Sequence, residues 1–342
     1  MSGPTLTTDD TGKAIGFLLF GVSGGLGLDL CAKWLLASYP LVQFVFLRSV
    51  FGLLVLLSVA RWYGGYHRLR TGNWHWHLLR TLLSCGAMFG FFFGLSRMPL
   101  VSALTIAFTA PLMVTAMSVP FLGEHVGWRR WLAVMVGFAG VLLVLRPGSG
   151  LLTPASVAVI FAAACYAGLA ITARRMAVAE SSFALSVYVM SGPLLLSGSM
   201  LADSYVAPDT NGWLLFLLAG FCSACAWIGI VGGYRRAPPV VLAPFEYTAL
   251  IGATLAGYWI WNEVPDKWVV AGGLVIMGSG LYVVHREVGR GAPARYLRAL
   301  TSSAGATLMR RRRSGQAAAS SVGKPEPAGY EQPQSGIGKS SV

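Results

Sequence analysis

The chain has 342 residues, 55% of them hydrophobic and only 11% charged, with a formal net charge of +13. A soluble domain carries roughly 25% charged residues, so this chain has too little charge to cover a water-facing surface. The composition excludes a soluble globular domain and leaves lipid as the solvent of most of the chain.

The N-terminal segment, residues 1–13, begins MSGPTLTTDD and is acidic and polar, with Lys13 its single basic side chain. It does not read as a secretory leader, and the first apolar run is too long for a leader's core, so that run is expected to stay as a helix. A spanning helix needs about 20 mostly apolar residues. Ten stretches qualify, with soft boundaries: 14–36, 41–60, 76–96, 100–122, 129–146, 154–173, 182–202, 213–234, 239–261 and 267–285. Short gaps between them carry turn residues, as in Ser38-Tyr39-Pro40 and Pro208-Asp209-Thr210.

Lysine and arginine favour the cytoplasmic side. With the N-terminus inside, the inner segments hold Lys13, Arg61, Arg68, Arg70, Arg129, Arg130, Arg174, Arg175, Arg235 and Arg236, and the outer loops only Arg97, Arg146 and Lys267. Both termini are therefore expected in the cytoplasm. The last segment, 286–342, is rich in Gly, Ser, Ala, Pro and Gln and includes Arg310-Arg311-Arg312-Arg313. Such a composition cannot bury enough apolar surface to order itself. It reads as a disordered basic cytoplasmic tail whose partner is anionic lipid, not nucleic acid, since the arginines lack interleaved aromatics. Cys31, Cys85, Cys165, Cys222 and Cys225 all fall in predicted spans, where they read as small packing residues, the CxxC spacing of Cys222 and Cys225 included.

Residues 110–148 and 243–287 echo each other: an apolar helix, a terminal glutamate (Glu124, Glu263), a short loop, a Trp, then an apolar helix with small residues. The offset defines a unit of five spans. An odd number of spans inserts the second copy upside down, the arrangement of secondary transporters. The two repeats run over 14–146 and 154–285.

Arg80-TLLSCGAMFGFFFGLSRMPLVSALTIAFTAPLMVTAMSVPFLGE-His125 resembles the first half of EamA-type proteins of the drug/metabolite transporter superfamily. PFEYTAL (244–250), NEVPD (262–266) and GLYVVHRE (280–287) resemble the second half. The resemblance covers roughly 14–287. It implies an all-α integral membrane protein of the bacterial inner membrane, with ten transmembrane helices as two inverted five-helix repeats, a central cavity and alternating access. Members move amino acids and their derivatives, vitamins such as riboflavin, adenosyl compounds and metal-chelating metabolites. Here Asn262 stands where the first repeat has Gly123, and the tail is long.

Five charges fall inside the spans: Asp29, Lys33, Arg48, Arg80 and Glu246. An intramembrane charge is by default a functional residue, since it costs roughly 2.5–3.5 kcal/mol on insertion scales. Spacing of four puts Asp29 and Lys33 on one helix face, where they neutralise each other and Arg48 joins from the second span. That set reads either as a structural lock or as an outer gate and substrate path. Lys33 and Arg80 can also snorkel, or Arg80 pairs with Glu246. Glu246 follows Pro244, which loosens its helix, and reads either as the proton-coupling carboxylate or as a paired structural group. Tyr247, Trp227 and Tyr166, with Phe91, Phe92, Phe93 and Tyr258, are the aromatics expected around a cavity for planar or amphipathic solutes. Glycines and serines of the first, third and eighth spans read as close-packing positions.

No catalytic residue, metal site or cofactor is expected. His67, His75, His77, His125 and His285 show no metal-ligand spacing, and there is no P-loop, so any drive comes from a gradient. The expected function is secondary transport of a small organic solute, first efflux of an amino-acid-like or metallophore-like compound. Uptake of a vitamin, nucleoside or adenosyl compound is the alternative, and a non-transporting structural or lipid-handling membrane protein is the rival class. Self-association as a homo-oligomer stays open.

Overall fold

The structure is a computed structural model that describes residues 8–60, 65, 69, 71, 73–123, 127–146, 153–176, 180, 182–234, 236 and 239–288. Glu124, His125 and the basic tail beyond residue 288 lie outside the described residues. Among the described residues there are α-helices and no strand: α1 (Thr8–Ser38), α2 (Leu41–Ser58), α3 (Trp74–Leu95), α4 (Leu100–Ala107), α5 (Ala110–Leu122), α6 (Trp128–Leu145), α7 (Pro154–Met176), α8 (Ser182–Met200), α9 (Thr210–Tyr234), α10 (Pro239–Glu246), α11 (Thr248–Trp261) and α12 (Lys267–Val288). Eight helical stretches, with α4 and α5 taken together, are long and apolar enough to cross a membrane.

The ten expected spans differ from the observed helices at two places. Stretch 100–122 is broken at Phe108 and Thr109, where Pro111 starts α5 without an N–H to donate backwards. Stretch 239–261 is broken at Tyr247, three residues after Pro244 has removed a donor from α10. Neither α10 nor α11 is long enough to span alone, and the apolar part of α12 is Lys267–Val283.

The helices pack face to face in pairs. The principal contacts are α1 with α9, α3 with α7 and α6 with α12; α2 packs on α8 and α9, α3 on α8, α4 and α5 on α7, and α1 on α10 and α11. Between apolar helices in lipid the driving force is van der Waals contact, which rewards small residues at the interface. The α1–α9 seam is the extreme case: a Cβ added to Gly229 would lie 2.3 Å from the Gly21 nitrogen and 2.6 Å from the Phe17 carbonyl oxygen. Large apolar side chains face outward, with Trp259 80% and Leu195 72% exposed, as lipid requires and water does not tolerate.

Helices α5 and α11 end alike. Gly123 (φ 66°) and Asn262 (φ 55°) both take the left-handed conformation, and each donates its N–H back into the last turn, to Val119 and Tyr258. Asparagine is a non-glycine residue that adopts this conformation readily, which explains how Asn262 ends α11 as Gly123 ends α5.

Candidate functional site

A cavity of about 390 Å³ lies among α1, α2, α3, α4, α5, α7, α8, α9 and the α10–α11 break. Helical spacing builds its walls: Gly21, Gly25 and Asp29 at i, i+4, i+8 on α1, and Ser223, Ala226, Trp227 and Ile230 on α9. From α3 come Ala87, Met88, Phe91 and Phe92, from α7 Tyr166, and from α2 Arg48 alone. Both helix breaks border it, through Phe108 and Pro111 on one side and Glu246 and Ala249 on the other. The breaks also touch: the Phe108 and Tyr247 rings lie 5.1 Å apart.

Of the expected site residues, Asp29, Arg48, Glu246, Trp227 and Tyr166 line the cavity. Tyr247 does not. It is buried behind the wall, with its hydroxyl filling the space left by Gly280. Phe93 does not either; its ring carries the Arg97 guanidinium at 3.9 Å, and Tyr258 is likewise absent from the lining.

The expected pairing of charges is corrected. Lys33 does not pair with Asp29: its ammonium pairs with Glu263, beyond α11. Glu263 also accepts the Leu100 backbone N–H at 3.1 Å, and the Lys33 ammonium lies 4.9 Å from the Trp261 ring centre. Asp29 instead interacts electrostatically with Arg48, without a direct ion pair among the described residues. Nor does Arg80 pair with Glu246 or snorkel. It is buried and donates to the Leu169 carbonyl (2.8 Å) and the Thr172 hydroxyl (3.0 Å), tying α3 to α7. Glu246 accepts a hydrogen bond from the Tyr234 hydroxyl at 2.5 Å. Sequence spacing marked Asp29, Lys33 and Glu246 but not Glu263, Tyr234 or Met88 as their surroundings. Glu263 was visible in the sequence as the glutamate that echoes Glu124, but not as the partner of Lys33.

Polar contacts gather at the two ends of the helices. At one end, the α1–α2 turn meets the segment before α9: Tyr39 donates to Asp209 (2.9 Å) and Gln43 to the Val206 carbonyl (2.6 Å). Arg146 pairs with Asp266 at the same end, alongside the Lys33–Glu263 pair. The Gly212 N–H and the Tyr39 hydroxyl hold the Asp209 carboxyl below its ordinary range. At the other end, Thr71 (2.5 Å) and Asn73 (3.0 Å) donate to Glu180, and His77 lies 3.8 Å away. Burial alone would raise the Glu180 carboxyl, but these donors hold it below its ordinary range.

Residues 14–146 match the EamA-like transporter family. The chain is 28% identical over 273 residues to an S-adenosylmethionine uptake transporter of Rickettsia bellii, covering 80% of this chain and 94% of that one. It is 25% identical over 281 residues to a riboflavin transporter of Rhizobium johnstonii (81% and 92% covered). It is 24% identical over 243 residues to a pseudopaline exporter of Pseudomonas aeruginosa (70% and 85% covered). A solved structure shares the fold over 81% of this chain and 98% of its own, with a TM-score of 0.56 and 19% identity.

Proposed function

From the premise that this chain is an EamA-type member of the drug/metabolite transporter superfamily, we propose that it carries a small charged metabolite across the bacterial inner membrane by alternating access. The observation that carries this reading is the meeting of two helix breaks beside one cavity that holds Asp29, Arg48 and Glu246. A broken helix frees backbone carbonyls and N–H groups at membrane depth, and transporters place such breaks at the solute.

In this reading the ten spans form two inverted repeats, α1–α6 and α7–α12, with α4/α5 and α10/α11 as the fourth span of each. The packing supports it. Exchanging each helix for its counterpart turns α1–α9 into α7–α3 and α2–α9 into α8–α3, and leaves α2–α8 and α6–α12 unchanged. The polar contacts support it too. Odd-numbered inter-span loops meet at one end of the helices and even-numbered ones at the other, as ten crossings demand. Lysine and arginine asymmetry favours both termini in the cytoplasm. Reporter fusions at Gly3 and after Glu287 test this, and a periplasmic signal from either removes the topology.

Two carboxylates face the cavity against one guanidinium, amid Phe91, Phe92, Tyr166 and Trp227. That inventory favours a zwitterion or cation bearing a planar group. Uptake of an adenosyl compound fits it, since S-adenosylmethionine carries both charge signs, a sulfonium and a purine, and the Rickettsia relative is named for that substrate. Efflux of an amino-acid-like metabolite is the second reading, favoured by the relative named as a pseudopaline exporter. Glu246, held by Tyr234 at the cavity wall, is the coupling carboxylate of the cycle. Purified protein in liposomes tests the function: saturable counterflow of S-adenosylmethionine is expected. Absence of flux for every solute offered would leave a structural or lipid-handling protein.

A further inference from the structure

Arg48 is a buried charge whose hydrogen bonding is unfinished. It is 2% exposed. Its Nη1 donates to the Met88 sulfur at 3.0 Å, and a thioether is a weak acceptor. Its Nε has no partner, and the nearest aromatic, Phe92, stands 5.8 Å away. A buried guanidinium without a direct ion pair is costly, and an anion bonded to its free N–H groups would complete it. The Lys33–Glu263 pair shows a completed arrangement in the same protein, and the buried Arg80, which also has an unpartnered Nε, at least donates to two oxygens, those of Leu169 and Thr172.

On α1, Asp29 lines the same cavity and feels the Arg48 charge without forming an ion pair with it. The cavity thus presents a planar fork with free N–H donors beside an acceptor carboxylate. A fork of that shape takes a carboxylate through two parallel bonds, and a lone carboxylate takes an ammonium. We propose that Arg48 and Asp29 form a subsite for the head group of an α-amino acid, with Arg48 on the α-carboxylate and Asp29 on the α-ammonium. The side chain of the solute then extends along the wall formed by Tyr166, Trp227 and Glu246. Occupied in this way, Arg48 and Asp29 each face an opposite charge on the solute. The proposal rests on the transporter reading above, and it narrows the substrate class to α-amino acids and derivatives that keep the free head group.

The test is counterflow in liposomes with labelled S-adenosylmethionine, competed by S-adenosylhomocysteine, which has the head group, and by 5′-methylthioadenosine, which has the same nucleoside without it. Methionine, adenosine and riboflavin complete the panel as candidate substrates. The headed compound is expected to compete about 10- to 100-fold better than the headless one, the weight of one or two hydrogen bonds to a charged group. Arg48→Gln is expected to abolish that preference, and Arg48→Lys, which keeps the charge and loses the fork, to retain part of it. If Arg48→Gln fails to insert, Asp29→Asn serves: it should lose the preference for S-adenosylhomocysteine over its des-amino analogue. Flux of adenosine or riboflavin with no headed solute carried, or a preference unchanged in Arg48→Gln and Asp29→Asn, overturns the subsite and leaves the carrier standing. No flux of any solute overturns both.

Discussion

Lys33→Met removes a charge shared by three elements, and the structure sets what that costs. The ammonium pairs with Glu263, whose other oxygen accepts the Leu100 N–H at the start of α4. The two side chains are 11% and 22% exposed. Exposed pairs contribute about 0.2–1 kcal/mol, whereas removing one partner of a buried pair costs about 3–5 kcal/mol. At these exposures Lys33→Met is expected to cost about 1–3 kcal/mol. Glu263→Gln keeps an oxygen for Leu100 and is expected to cost less, about 1 kcal/mol. The two effects belong to one contact, so the double variant should cost less than their sum, with a coupling of about 1–2 kcal/mol. The assay is unfolding of the four purified proteins, read as a double-mutant cycle at low and high salt. Additivity within about 0.3 kcal/mol would refute the reasoning and leave the pair as a close approach without energetic weight. The same geometry predicts the outcome of charge exchange. Asp29→Lys with Lys33→Asp sets a carboxylate against Glu263 and should fail. Lys33→Glu with Glu263→Lys should recover part of the loss, but not the Leu100 cap.

Gly229→Ala puts a Cβ within 2.3 Å of the Gly21 backbone, so α1 and α9 must part; overpacking of about 1–3 kcal/mol and loss of flux are expected, and normal stability with normal flux would contradict the seam. Glu246→Gln keeps its shape and its contact with Tyr234 but cannot titrate; counterflow exchange should persist while gradient-driven accumulation is lost, and normal accumulation removes Glu246 as the coupling group. Glu180 lies below its ordinary carboxyl range because Thr71, Asn73 and His77 act on it. A lowered folded-state value means its stabilisation is present above the unfolded value of 4.5 and disappears as pH falls through the folded value. Glu180→Gln should therefore lower the melting temperature at pH 7, and that difference should shrink as pH falls below 4.5, which unfolding scans over the acid range will read.

The sequence by itself determined the solvent of this protein and, through the solvent, most of its architecture. With 11% charge and repeated apolar runs the chain has to satisfy its backbone internally in lipid, which leaves helices of about 20 residues as the available element. The proline at 244 warned of a loosened helix, whereas stretch 100–122 read as one unbroken span. The two breaks themselves came into view only in the folded chain, because a proline tolerates several resolutions and neighbouring helices choose among them. The charges divide in the same way. Asp29, Lys33, Arg48, Arg80 and Glu246 were legible as functional candidates because charge in lipid is costly wherever it sits. Their partners were not legible. Spacing of four fixes only that Asp29 and Lys33 share a face; which opposite charge comes within reach is decided by helices packed from far along the chain, as with Lys33 and Glu263, 230 residues apart. Coulomb attraction falls with distance and with surrounding dielectric, and both are properties of the assembled bundle. That assembly joined Lys33 to Glu263, gave Glu246 the Tyr234 hydroxyl, and left Arg48 with a sulfur for a partner at the wall of the cavity.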